Sequence, residues 1–366
     1  MKLSELLTVL EDIAPTKYAE PWDNVGLLAG DPEQGVTKVL LTIDYTPAVA
    51  VEAVRENCDV VIAYHPPIFE ALKRLTAGSL VFDAIRRGFA LYSPHTALDV
   101  ADGGTNDMLA DAVRMASGAG RSPLKMAETK AGQHKLVVFV PENAVELVSR
   151  ALFDAGAGRI GKYSSCSFRS AGIGTFFGEA GTHPAVGQSG RLELAAEVRL
   201  ETVLPISRVE AVIRALRQSH PYEEPAFDLV QLAAPPEGRG IGRVGDLAEP
   251  SPREQVLERI KRELGIGHLL VAGPIDGIVR RAAVCAGACG ELLGAAIAQK
   301  VDLYLTGEMR HHDALKAARA GVTVVCTLHS NSERAVLSRL KTRLGEQASA
   351  VSVIISAEDG DPFIVM

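Results

Sequence analysis

Short unbroken apolar runs alternate along this chain with stretches whose apolar residues recur every three or four positions, the pattern of buried strands set between amphipathic helices. Val39-Leu40-Leu41-Thr42-Ile43-Asp44 and Val60-Val61-Ile62-Ala63 predict strands. Their apolar character is continuous and does not alternate, so both faces are predicted to be covered, as in a parallel sheet. Ala48 to Val54 and Leu80 to Arg87 carry the helical period that joins such strands. The first twelve residues hold Glu5, Glu11 and Asp12 inside an apolar pattern, which reads as a helix and not as a signal peptide.

A polar, Gly-rich stretch from Ser117 to Gln133 interrupts this pattern and reads as a linker. Beyond it come a strand at 134–141, a helix at 144–155, a Gly-rich turn region, strand-rich residues 192–204, a helix at 208–219 and a strand near 227–232. That order is compatible with β-α-β-β-α-β, the ferredoxin-like signature. Pro235-Pro236-Glu237-Gly238 closes the segment. The α/β pattern then returns with a helix at 253–264, a strand at 282–286, a helix at 291–300, a strand at 302–306 and a helix at 311–320. A strand running into His329 and a helix at 332–344 follow. The predicted fold class is therefore α/β: a discontinuous two-lobed domain, 1–130 with 238–366, interrupted by an α+β insert at 134–233.

A chain of 366 residues exceeds the size at which a single core keeps growing, in keeping with more than one domain. Net charge is -7 and no long run of Lys or Arg occurs, so the electrostatic footprint of a nucleic-acid binder is missing. No apolar stretch is long enough to span a bilayer, and a cytoplasmic location is expected. The five cysteines, Cys58, Cys166, Cys285, Cys289 and Cys326, are odd in number and lie in apolar or Gly-rich surroundings, which fits a reducing compartment. Cys285 and Cys289 lack a second Cys pair, and their expected use is as small buried hydrophobes.

Candidate chemistry gathers where apolar runs stop. His329 and Glu333 lie four residues apart at the end of Val324-Val325-Cys326-Thr327-Leu328, a spacing that puts imidazole and carboxylate on one face of a first helical turn. Asp59-Val60-Val61-Ile62-Ala63-Tyr64 leads into His65, and Leu91-Tyr92-Ser93-Pro94 leads into His95 and Asp99. Any one of these alone reads as a hydrogen-bonded histidine or a helix cap. Three strand ends that each deliver His or Asp point instead to a cation held by His65, Asp99, His329 and Glu333. Mixed imidazole and carboxylate ligation does not choose among Zn, Fe, Mn, Co and Ni. Glu308, His311 and His312 sit where another strand meets a helix, and adjacent residues point about 100° apart on a helix, so at most one of the two histidines would face the metal.

Other motifs carry less. Gly240-Ile241-Gly242-Arg243-Val244-Gly245 matches G-x-G-x-x-G literally, but prolines flank it where a strand and a helix should stand, so a nicotinamide role is not expected. No G-x-S-x-G elbow appears, and no Cys–His signature supports a covalent nucleophile.

Trp22-Asp23-Asn24-Val25-Gly26-Leu27, Tyr64-His65-Pro66-Pro67-Ile68-Phe69, His95-Thr96-Ala97-Leu98-Asp99, Gly103-Gly104-Thr105-Asn106-Asp107, Gly307-Glu308-Met309-Arg310-His311-His312 and His329-Ser330-Asn331-Ser332-Glu333 occur in the order expected of one family. The chain resembles the GTP cyclohydrolase 1 type 2 homologs, also called Nif-three-like dinuclear-metal-centre hexameric proteins, over nearly its whole length. The resemblance implies one or two divalent metals per chain, with His65 and Asp99 on one, His329 on the other and Glu333 bridging. It implies a homo-hexameric toroid and metal-bound hydroxide attacking a small, nucleotide-like substrate. In the version that the family name implies, C8 of guanine is attacked and formate is released. His95 or Glu308 would then move protons, His95 also being placed to orient Asp99. Many members have His-His where this chain has Tyr64-His65, while others share the tyrosine, so ligation by Tyr64 stays open and unequal occupancy of two sites is expected. Gly172-Ile173-Gly174-Thr175-Phe176, Gly187-Gln188-Ser189-Gly190-Arg191-Leu192-Glu193 and His220-Pro221-Tyr222-Glu223-Glu224-Pro225 resemble the PII-like or CutA-like insert of many members. The alternative function is a non-enzymatic toroid that stores, delivers or senses metal, or acts as a partner protein.

Overall fold

The computed structural model describes residues 1–126, 133–232 and 238–365. The described residues up to Met126, together with those from Gly238 on, make one compact unit, and residues 133–232 make another.

The first unit contains two mixed sheets. A five-stranded sheet runs in the order Gly26–Ala29, Ala90–Ser93, Val60–Ala63, Lys38–Thr42, Ser352–Ile355, parallel except for its antiparallel first strand. A six-stranded sheet runs Leu270–Ala272, Thr323–Cys326, Leu303–Thr306, Ile278–Cys285, Arg243–Pro252, Arg121–Ser122, with its middle three strands parallel. The unbroken apolar runs follow from this arrangement. Val39, Leu41, Val60 and Ile62 of one sheet share a core with Ala282, Val284, Leu303, Leu305 and Val325 of the other. Their alternate neighbours turn outward: Leu40, Val61 and Ala63 pack in a second cluster, and Ala283, Cys285, Tyr304, Val324 and Cys326 in a third. With both faces of each sheet covered, the period of two is hidden in the sequence.

Helices fill the shared core by the expected period. Leu3, Leu6, Leu10 and Ile13 of the helix Leu3–Ile13 are buried on one side, and its start is capped where Glu5 accepts the Lys2 backbone N–H at 2.8 Å. The helix Thr105–Ala112 lies against the strand Ile278–Cys285, and its Asn106 carboxamide oxygen accepts the Ala286 N–H at 2.9 Å. The six-residue match to a dinucleotide fingerprint forms the strand Gly240–Ile241 and the start of Arg243–Pro252, with no helix opening in it.

The second unit has the element order β-α-β-β-α-β and one antiparallel sheet, ordered Phe227–Gln231, Gln133–Pro141, Leu192–Pro205, Ser167–Phe177. The helices Val145–Asp154 and Val209–Ser219 cover one face, packing Val148, Leu152, Val212 and Leu216 on Leu136, Val138, Val140, Leu200 and Leu204. The strand Ser167–Phe177 falls partly in what reads from sequence as a Gly-rich turn region. It is an edge strand with little burial, so it lacks the apolar run that marks the others. Part of the predicted linker, Arg121–Ser122 and Lys125–Met126, is strand within the first unit; its residues 127–132 and Pro235-Pro236-Glu237 lie outside the described residues.

Candidate metal centre

The two sheets of the first unit bring histidine and carboxylate together by the same local device. The parallel strands Lys38–Thr42 and Val60–Ala63 pair Thr42 with Ala63, and the ladder continues as Tyr64 and His65 donate N–H bonds to Thr42 and Ile43. Two residues beyond each strand, Asp44 therefore stands beside His65, with Oδ1 2.9 Å from Nδ1. In the other sheet, Thr306 pairs with Cys326 in parallel strands, and just beyond them Glu308 Oε1 lies 2.8 Å from His329 Nδ1. A third pair forms at the edge, where the antiparallel strands match Gly26 with Ser93 and Asp23 Oδ1 approaches His95 Nδ1 at 2.8 Å. In each pair a carboxylate occupies Nδ1 and leaves Nε2 for another partner. That is the arrangement in which a second carboxylate orients a metal-binding imidazole.

The free nitrogens of two of these histidines converge on Glu333. His65 Nε2 is 3.2 Å from Glu333 Oε2, and His329 Nε2 is 3.4 Å from Oε1. His65, His329 and Glu333 form a group that could hold a metal ion, one ligand atom from each lying within 4.8 Å of the others. Neither His65 Nε2 nor Glu333 Oε2 is in hydrogen-bonding alignment with any group, although both are buried. Two buried polar atoms facing each other without a hydrogen bond fit a cation between them. The donor set of two imidazoles and a carboxylate fits a divalent metal of the zinc or iron kind. Burial disfavours a charge on His65, but its contacts with Asp44 and Glu333 prevail and raise its pKa to about 10. A cation at Nε2 would compete with a proton there and would displace it on binding.

Local backbone departs from the sequence expectation at His329. The segment Ser330–Ser332 is a single 3-10 turn and the helix proper spans Val336–Gln347. Leu328 adopts φ +70°, and the Ser330 and Ser332 hydroxyls bond Asp361 and the His329 carbonyl at 2.7 Å, side-chain bonds that compete with a regular helical start. His329 and Glu333 still face each other across the turn. Gly287, at φ +70°, lies under them: a Cβ there would stand 3.1 Å from Glu333 Oε1 and 3.5 Å from His329 Nε2.

Asp99 is the fourth expected ligand and lies outside this group of three. It is buried and accepts the Tyr64 hydroxyl proton at Oδ1, while Tyr64 Oη is 3.3 Å from Thr105 Oγ1. Burial holds the Tyr64 phenol far above its ordinary pKa, so it serves Asp99 as a proton donor. Burial also raises Asp99, to about 6, against the Tyr64 hydrogen bond. The ring of His95 stands 5.4 Å from that of His65, and its backbone φ is +25°, a strained value for a residue with a side chain. Trp22 and Phe69, both more than half exposed, lie 6.0 Å apart, and Trp22 meets His95 edge-on at 6.0 Å. Glu308 is the partner of His329 Nδ1, while His311 and His312 are exposed and outside the group.

Sequence alone does not mark Asp44 or Asp23 as site residues. The signal for Asp44 was present: it ends an apolar strand run just as His65 does, and parallel neighbours in a sheet end side by side. Asp23 lies in the Trp22–Leu27 motif, but its pairing with His95 depends on an antiparallel edge that no local pattern reveals.

Fold and cluster together define an α/β protein with a histidine and carboxylate centre capable of holding a metal between two sheets. The Duf34/NIF3 (NGG1p interacting factor 3) family matches residues 1–362, and the chain belongs to that family. It is 36% identical over 366 residues to a Bacillus subtilis protein called GTP cyclohydrolase 1 type 2 homolog, covering 98% of this chain and 97% of the relative. A Mycobacterium tuberculosis protein of the same name is 38% identical over 340 residues, 91% of this chain and 88% of its own. Among solved structures, a Bacillus cereus protein related to NIF3 matches with TM-score 0.66 at 34% identity, covering 100% of this chain and 99% of that one. A Staphylococcus aureus protein matches with TM-score 0.77 at 28% identity over the same shares.

Proposed function

We propose that this protein is a metal-dependent hydrolase of small, nucleotide-like substrates, with the cation held by His65, His329 and Glu333. The observation that carries the reading is the pair of buried, unaligned atoms, His65 Nε2 and Glu333 Oε2, at the meeting point of two carboxylate-supported imidazoles. A divalent metal there supplies a Lewis acid and lowers the pKa of a coordinated water toward about 7. The rest is the work of the chain. Asp44 and Glu308 hold the two imidazoles with Nε2 forward. Glu333, reaching both imidazoles with different oxygens, would hold the metal, and the buried Asp99, close enough for the charge of Glu333 to raise its pKa, would offer a further carboxylate. His95, fixed through Nδ1 by Asp23, keeps Nε2 to take up or return a proton. Trp22 and Phe69 give the rim an apolar wall for a planar base.

The parent names of the relatives direct the choice of substrate to GTP, and the homo-hexamer belongs to the same family reading. The β-α-β-β-α-β order and its strand order support a ferredoxin-like identity for residues 133–232. Among the described residues no helix is long and apolar enough to cross a membrane.

The test is metal content per chain in protein purified without added metal, run beside GTP turnover with formate detection. Metal together with formate release that disappears in His65→Ala and Glu333→Ala supports the proposal. Stoichiometric metal with no turnover across a nucleotide panel removes the hydrolase and leaves a metal-binding protein.

A further inference from the structure

The second unit carries its own cavity, remote in sequence from the metal ligands. Helices cover one face of its sheet, and no element among the described residues of this unit covers the opposite face. Strand parity sends Glu197, Arg199 and Glu201 to the open face, because Val198, Leu200 and Leu204 pack under the helices. Their cross-strand partners there include Gly172, Ser170 and Phe139. A cavity of about 660 Å³ opens over this face, walled by Phe139, Phe176, Phe177 and Tyr222. That volume suits a small organic molecule.

Glu197 lies at the base of the cavity and is only 8% exposed. One of its oxygens accepts the Tyr222 hydroxyl proton at 2.8 Å; the other takes no hydrogen bond among the described residues and lies over Gly174, where any Cβ would collide with it. Glycine at 174 thus makes room for the carboxylate. The Arg199 guanidinium at the same wall is turned to Glu201 at 2.9 Å, while Glu223 and Glu224 add acid at the mouth. Charge here favours a cation. A single deep carboxylate among aromatic rings lacks the several hard donors that a metal ion demands, but it matches an organic cation whose N–H groups meet Glu197 and whose body lies against the rings.

We propose that residues 133–232 hold a binding site for a small organic cation, with Glu197 as its anchor. The site stands independently of the metal centre. The test is calorimetric titration of the full-length protein with benzamidine, neutral benzamide and benzoate, in metal-free and metal-loaded preparations. Benzamidine is expected to bind equally in both preparations, benzamide and benzoate at least tenfold more weakly. Glu197→Gln, which retains an acceptor for Tyr222, is expected to weaken benzamidine at least tenfold. Phe176→Ala gives a second reading if that variant does not fold, and should weaken it severalfold. Absence of benzamidine binding, equal binding of benzamide, or indifference to both substitutions would overturn the proposal. So would light scattering that shows the cavity wall to be closed by a second copy, with an association abolished by Phe176→Ala and no benzamidine heat. Failure of the metal reading alone would leave the benzamidine result unchanged.

Discussion

Asp44 Oδ1 lies 2.9 Å from His65 Nδ1, and this contact decides which nitrogen of the imidazole faces Glu333. Glu308 does the same for His329 at 2.8 Å, so both imidazoles are oriented from behind by a strand-end carboxylate. Removing such a partner frees the ring to rotate and lowers its basicity, which typically costs about 10–100-fold in metal affinity. Asp44→Ala and Glu308→Ala should each weaken zinc by about that factor while leaving the fold intact. Competition against a chromogenic chelator measures it. Wild-type affinity in both variants would mean that these imidazoles do not ligate through Nε2.

Glu333 touches both imidazoles from a position that is almost fully buried, so its loss removes the carboxylate that faces both Nε2 atoms. Glu333→Ala should retain only a minor fraction of the wild-type metal by elemental analysis. Chelation offers a second readout, since a ligand at about one hundred times its dissociation constant stabilises the folded state by about 2.7 kcal/mol. Wild-type protein should melt at a lower temperature after chelator treatment and dialysis, and Glu333→Ala should show no such difference. Full metal content in the variant would refute the ligand assignment.

How much of this was readable beforehand follows from where each residue lies. Val39–Ile43 and Val60–Ala63 announced themselves because both faces of their sheet are covered, leaving no polar alternation to dilute the run. His65, His329 and Glu333 were legible because each follows or flanks such a run, and strand ends are where side chains leave the core. Asp44 reads in the sequence as the end of a strand and not as part of the site, since its partnership with His65 is a fact of sheet neighbours and not of sequence spacing. Ser167–Phe177 reads in the sequence as a turn region because an exposed edge strand has no burial to enforce apolar residues. At His329 the i, i+4 spacing gave the right proximity for an inexact reason: a 3-10 turn, pinned by Ser330 and Ser332, brings Glu333 round.

Tyr64 occupies the place where the family resemblance implies a histidine in many members, and its hydroxyl is committed to Asp99, with Thr105 behind it. Tyr64→Phe removes a donor from a buried carboxylate and so should destabilise the protein by about 1–3 kcal/mol. Because the phenol is not among the three grouped ligands, metal content per chain should not fall. Urea unfolding and elemental analysis on the same preparation separate the two effects. Loss of metal with unchanged stability would make Tyr64 a ligand instead of a support.

The segment that imitates a dinucleotide fingerprint turns out to clamp the first unit together. Arg243, within it, donates from Nε to Asp107 at 2.8 Å and from Nη1 to the Gly240 and Gly242 carbonyls at 2.9 Å; Nη2 reaches the Val100 carbonyl at 3.1 Å. Asp107 also accepts the Gly103 N–H at 2.7 Å. Burial opposes ionisation of Asp107, but the bonds and charge of Arg243, with Gly103 and Arg121, outweigh it and hold the carboxyl below its ordinary value of 3.8. Asp107→Ala strands a buried guanidinium and should cost about 3–5 kcal/mol at neutral pH. The sign of its pH dependence follows from the lowered pKa: the unfolded chain binds the proton first as pH falls, so the stabilisation is complete above 3.8 and is lost as pH drops through the folded value. Urea midpoints should therefore separate wild type from Asp107→Ala by similar amounts at about pH 7 and pH 5, and by less at about pH 3. A gap that stays constant down to pH 3 would show that the pair contributes through packing and not through charge.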